Sequence, residues 1–212
     1  MATPYGGCSI DRFAELVAAR EPAPGGGPVA AVTVSLAAAL VAMAARYSTE
    51  VVGGEDLVEV AELLSSRAAD LADADADAYQ AVISSYAATR DGDPAYRREQ
   101  IRSALHGAAA VALEIAQLGA ETATLAAELA VGGNRSVRGD AATAVLLAEA
   151  ATRSAAHLVA IDVDAGGCDE QLVREAERSV ETARAASSRV PGLMSSSGTP
   201  ARTASSSPGR RG

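Results

Sequence analysis

From Pro28 to Ala45 the chain carries no charged residue, and a turn that no helix can cross, Pro22-Ala23-Pro24-Gly25-Gly26-Gly27, stands directly before it. Val29, Val32, Leu36, Leu40 and Met43 lie in this run among many Ala, so a helix starting at Pro28 is apolar nearly all round. Such a helix has to be packed on every side, which puts it at the centre of a bundle. The run is shorter than the roughly 20 residues of a membrane span. It is also diluted by Ala, Thr33 and Ser35, so a buried core helix is expected and no membrane partner. Hydrophobic types make up 49% of the sequence while aromatics make up 3% and Trp is absent. Much of that hydrophobicity is Ala, a strong helix former that fills little core volume and lets helices approach closely. Alternating β-branched and aromatic runs are nearly missing, so the fold class expected is all-α, an orthogonal bundle of about six helices.

Periodicity and punctuation place the six. Ser9 or Asp11 can cap a first helix through Phe13, Leu16 and Val17 to Arg20. The second starts at Pro28. Gly53-Gly54 precedes a third from Glu55 to Tyr86, with an apolar line Val60, Leu64, Ala68, Leu71, Ala78, Val82. A loop at Asp91-Gly92-Asp93-Pro94 leads to a fourth through Ile101, Leu105, Val111, Ile115 and Leu125 to Val131. A fifth runs from Asp140 to Gly166-Gly167, and a charged sixth from Glu170 to Ser187. Residues 1–187 form the helical domain on this reading. Residues 188–212, rich in Ser, Pro, Gly and Arg, form a disordered tail.

The formal charge is −9, and because the only charges from Arg189 onward are Arg, the body is more acidic still. Phosphate contacts need basic patches, so nucleic acid is not an expected partner. No Lys occurs, which leaves Arg, backbone N–H groups and helix N-termini to hold any anionic ligand. Cys8 and Cys168 stand apart from each other and from His, which suits a reducing compartment and suggests neither a disulfide framework nor a metal site. No signal peptide is indicated, and the expected location is cytoplasmic.

Four acids, Asp70, Asp73, Asp75 and Asp77, fall in the third helix. At 3.6 residues per turn Asp70, Asp73 and Asp77 share a face, whose ordinary place is solvent. Asp75 lies four residues after Leu71 and seven before Val82, inside the apolar line. A carboxylate there is paired with an Arg, protonated or wetted, and burial raises its pKa toward the range of a general acid or base. Gly25-Gly26-Gly27 is either a structural turn or a set of bare N–H groups facing an anion, without the GK[ST] of a phosphate loop. Asp140 reads as the N-cap of the fifth helix, and Arg153 as the surface partner of Glu149. His106 is expected in solvent beside Arg102 and His157 near the apolar side of its helix; neither has a nucleophile nearby in sequence.

Three segments together resemble the cyclodeaminase/cyclohydrolase family of folate enzymes, over roughly residues 9–185. They are Phe13 to Gly27 leading into the Ala-rich helix with Met43, Leu71-Ala72-Asp73-Ala74-Asp75-Ala76-Asp77-Ala78-Tyr79, and Gly133-Asn134 followed by Gly139-Asp140-Ala141 and Leu146 to Ala150. The resemblance implies an orthogonal helical bundle that dimerises and takes tetrahydrofolate derivatives, with no prosthetic group and no metal. It points to Asp75 as the catalytic carboxylate with Asp73 or Asp140 as a second. It points to Gly25, Gly26, Gly27 and Asn134 as substrate-binding residues, and Arg46, Arg135 and Arg138 join them as the cations expected to hold the carboxylates of such a ligand.

This sequence departs from the family pattern at Pro28, where Ser is usual, at Arg46, where Asn is usual, and at Leu158 and Ala160, where polar residues are usual. The reaction implied is hydrolysis of 5,10-methenyltetrahydrofolate to the N-formyl form. Alternatives are cyclodeamination of formiminotetrahydrofolate, with or without a separate formiminotransferase partner, and a degenerate helical dimer that keeps only the fold. The dimer interface is expected on the fourth and fifth helices, around Ala108 to Ala112 and Ala141 to Val145.

Overall fold

The computed structural model of the chain describes residues 5–49, 55–87 and 93–192. Among these residues there are six α-helices: α1 (Ile10–Ala18), α2 (Gly26–Arg46), α3 (Glu55–Ala87), α4 (Pro94–Gly132), α5 (Arg138–Gly166) and α6 (Gln171–Ser188). Short 3-10 turns occur at Tyr5–Gly7 and Arg135–Val137, and no strand occurs among the described residues. The helix ends follow the chemistry of capping. Ser9 accepts from the Arg12 N–H at 3.2 Å, Asp93 accepts from the Ala95 N–H at 3.0 Å with Pro94 opening α4, and Gly167 ends α5 at φ 56°.

Two starts differ from the expectation. Helix α2 begins at Gly26, so the second and third glycines form its first turn and Pro28 sits where a missing N–H leaves no helical bond unmade. Helix α5 begins at Arg138; Asp140 is therefore not its cap but an acid within its first turn, where the helix dipole still favours it.

The core is built mainly of small residues. Val34, Val41, Leu71, Ile115, Val145 and Val159 are its fully buried larger side chains, set among Ala from α2, α3, α4 and α5. Gly119 of α4 faces Thr152 of α5 so closely that an added Cβ would overlap the Thr hydroxyl. Between α2 and α3 the Ser65 hydroxyl donates to the Ser35 carbonyl at 3.0 Å.

Helix α2 is central but not wholly covered. Ala31, Val34, Ala38, Val41 and Ala45 are buried, whereas Leu36 is 57% exposed and Val29 38%. By contrast Ala109 and Ala112 of α4 and Ala141, Ala144 and Val145 of α5 are buried inside the chain. Exposed large apolar side chains are spread over several helices, with Ile10 on α1, Leu36 on α2, Leu63 on α3 and Leu146 and Ile161 on α5, while those small residues of α4 and α5 are covered. By length and hydropathy alone α2 and the Arg135–Gly166 segment are apolar enough to cross a membrane. In this bundle the two pack on each other through Val41, Ala45, Ala141 and Ala144.

The helical body continues past 187. Val190 is 4% exposed and packs in the same core cluster as Ala183 and Ala186. The rest of the expected disordered tail, and Gly53-Gly54 and Asp91-Gly92, lie outside the described residues. Val190→Ala removes two buried methyl groups, a loss of about 2 kcal/mol. Its thermal midpoint should fall by about 4–8 °C relative to wild type. A change below one degree in a thermal melt would mean that the body ends before Val190.

Candidate active site

At one end of the bundle a cavity of about 280 Å³ opens between the glycine turn, α3, α4 and α5. Pro22, Ala23, Gly25, Gly26 and Gly27 form one wall, Asp75, Ala76 and Tyr79 another, and Ala108, Leu158, Ile161 and Asp162 the rest. The Asp75 carboxylate lies directly against the Cα of Gly27, so that any Cβ there would overlap it. Glycine at 27 is thus required by close approach, not by an unusual backbone angle. The helical phase that put Asp75 in the apolar line of α3 is correct, and the line passes the cavity at Asp75 before it continues to buried Val82.

No Arg, N–H or hydroxyl of the described residues pairs with Asp75, which removes the alternative of a buried ion pair. Burial pushes its carboxyl up to about 6, and the charge of Asp162 adds to the effect. Burial likewise pushes Asp162 up to about 6. A helix N-terminus beside a carboxylate favours its charged form, but desolvation outweighs that here.

Asp162 did not stand out in the sequence as a site residue, although the same phase argument finds it. It follows Leu158 by four residues and Ala155 by seven, in line with buried Ala148 and Ala151.

The other expected site residues lie elsewhere. Asp73 accepts the Tyr5 N–H at 3.0 Å and fastens the N-terminal turn to α3. Asp140 is exposed at the far end of α5, about 30 Å from Asp162 at 1.5 Å per residue. Arg46 is at the opposite end of α2 from Gly27, also about 30 Å away, in an exposed ion pair with Glu62. Asn134 lies beside it and clasps the end of α2. Its side chain donates to the Tyr47 carbonyl at 2.8 Å and accepts the Ser136 N–H at 3.0 Å, while its own N–H reaches the buried Ser48 hydroxyl at 2.9 Å. Arg135 and Arg138 are exposed at this same end. Within one chain, therefore, the glycine turn and Asp75 are brought together, and the Arg46, Asn134, Arg135 and Arg138 group is not brought to them.

Leu158 lines the cavity and Ala160 does not. His157 is exposed rather than near the apolar side. His106 lies in a separate depression with Arg102 and Cys168, where burial pushes the thiol pKa up and so disfavours a thiolate. No group of three or more His, Cys, Asp or Glu among the described residues is placed to hold a metal ion.

The sequence model described as formiminotransferase-cyclodeaminase matches residues 9–182. A methenyltetrahydrofolate cyclohydrolase of Methylorubrum extorquens is 32% identical over 179 residues, covering 79% of this chain and 84% of that protein. The crystal structure of a formiminotetrahydrofolate cyclodeaminase from Thermotoga maritima superposes with a TM-score of 0.77 at 26% identity, over 88% of this chain and 96% of that one. The all-α bundle is thus shared with the solved cyclodeaminase over most of both chains. The chain belongs to the formiminotransferase-cyclodeaminase family, in its cyclodeaminase part.

A carboxyl raised from 3.8 to about 6 on folding binds its proton more tightly in the folded chain. Its stabilising contribution is complete below pH 3.8 and is lost as the pH rises through about 6. Asp75→Asn, which cannot ionise, should therefore be more stable than wild type by about 1–3 kcal/mol at pH 7.5. The gap should close as the pH is lowered to 4. Denaturant melts at the two pH values check this; a variant less stable than wild type at pH 7.5 would show that the Asp75 charge is compensated in the fold.

Proposed function

We propose that the chain hydrolyses 5,10-methenyltetrahydrofolate to the N-formyl form, in the cytoplasm and as a homodimer. The observation that carries this reading is a cavity with two carboxylates and no cation in its walls. The methenyl carbon lies between two nitrogens in a cationic amidinium, and a carboxylate beside it stabilises that charge and takes a proton from the attacking water. Asp75, fixed against Gly27 and without a competing partner, has that role. Leu158, Ile161 and Ala108 give the ring system apolar walls. The glycine turn lets the ligand approach the backbone of α2 closely. No prosthetic group is needed for this chemistry. The M. extorquens relative is named for this reaction.

Cyclodeamination is the second reading, favoured by the name of the T. maritima protein. It also needs proton transfer at nitrogen and draws on the same carboxylates. Departures at Pro28, Leu158 and Ala160 leave the carboxylates in place. A degenerate dimer is therefore the weaker account.

The homodimer rests on the uncovered apolar side of α2. Leu36 at 57% exposure and Leu146 at 47% are large side chains that a second copy would bury. Ile161, also exposed, stands in the cavity wall. Cys8 and Cys168 are both free, in keeping with a reducing compartment.

Purified protein should speed the loss of near-ultraviolet absorbance of methenyltetrahydrofolate, and Asp75→Asn should lower kcat by about 100-fold or more. Wild type matching the buffer blank would end the hydrolase reading; ammonia release from formiminotetrahydrofolate in its place would establish the second. Light scattering during gel filtration should give about twice the 21.2 kDa chain mass, and Leu36→Asp should give a monomer. A monomeric wild type at micromolar concentration would overturn the dimer.

A further inference from the structure

Hydrolysis of the amidinium needs two proton movements, and one carboxylate accounts for only the first. We propose that Asp162 is a second catalytic residue, the proton donor to the nitrogen that leaves the methenyl carbon. This inference rests on the hydrolase reading above.

The placement carries it. Asp162 stands on the last turns of α5 in the wall of the same cavity as Asp75 of α3, flanked by Leu158 and Ile161. It has no hydrogen-bond or ion-pair partner among the described residues, and no buried side-chain oxygen is left unbonded. Its free oxygens therefore face the cavity space. Two carboxyls in one half-dry cavity do not both ionise readily, so over a range of pH they hold one proton between them. Burial pushes both up to about 6, so neither keeps that proton by a wide margin. The singly protonated pair presents a base and an acid at once.

The steps then balance. Water attacks the methenyl carbon, the C–O bond forms, and its proton passes to the Asp75 carboxylate, giving a neutral carbinolamine. The Asp162 carboxyl gives its proton to the leaving nitrogen. The C–N bond breaks with its electron pair going to that nitrogen, the C=O bond forms, and the carbinol proton returns to Asp162. Asp75 releases its proton to solvent, the one proton that hydrolysis of the cation liberates.

Few other titratable groups bear on the pair. Tyr79 comes from α3, and the glycine turn and α4 contribute none to the cavity walls. Behind the end of α5 the Cys168 thiol feels the Asp162 charge, and Arg102 of α4 faces that thiol.

The experiment is steady-state kinetics of the full-length chain on methenyltetrahydrofolate from pH 5 to 8, for wild type, Asp162→Asn and Asp162→Glu, with circular dichroism to check folding. Wild type should give a bell in kcat centred near pH 6. Asp162→Asn should lose about 100-fold in kcat with KM within about threefold, and should lose the alkaline limb, since no carboxyl remains to donate. Asp162→Glu should recover part of the rate and keep the limb with a moved midpoint. An Asp162→Asn variant within threefold of wild type, or one that is slower but keeps both limbs, overturns the donor role while the hydrolase reading stands. A wild type without turnover overturns both.

Discussion

Alanine leaves so little side chain on the facing surfaces of α2, α3, α4 and α5 that these helices gain contact only at short range. The dispersion energy of each atom pair is small and falls quickly with separation. A core of Ala with scattered Val, Leu and Ile is therefore stable only when backbones lie near one another along their lengths. Gly119 against Thr152 is one expression of this. Gly27 against Asp75 is another, with a carboxylate where the next layer of side chain would have been.

That second contact links the packing to the chemistry. The close approach of α2 and α3 holds Asp75 away from bulk water, and the end of α5 brings Asp162 to the same cavity. With no cation nearby, both charges are expensive, and both carboxyls are pushed up to about 6. A fold seeking stability alone would place an Arg there, and this chain has many exposed ones to spare, including Arg135, Arg138 and Arg153. An unpaired pair of acids is what a cationic substrate with two proton movements calls for.

The order and number of helices were legible in the sequence because Gly and Pro punctuation and 3.6-residue periodicity are local signals. Asp75 was legible for the same reason: a charge on an apolar line is visible without coordinates. Asp162 obeyed the same rule but stands beside Asp164 near a helix end, where acids look like ordinary solvent-facing residues. The side of α2 left uncovered could not be read, because a helix apolar all round has no phase to show which face is spare. That Arg46 sits at the opposite end of α2 from Gly27 follows from the unbroken helix visible in the sequence, but the place of Asn134 beside it does not, since it depends on how the turn before α5 packs against the end of α2. Val190 was hidden by its setting, a single apolar residue after Ser187, Ser188 and Arg189.

The central claim is that Asp75 and Asp162 are two carboxyls in one water-poor cavity with no cation between them. Carbon-13 NMR of the side-chain carboxyls, assigned through Asp75→Asn and Asp162→Asn, follows each group directly as the pH is changed. The account predicts midpoints near 6 for both, with the one that remains falling when the other is replaced by Asn. Midpoints for both near 4, the ordinary value of an exposed aspartate, would contradict it.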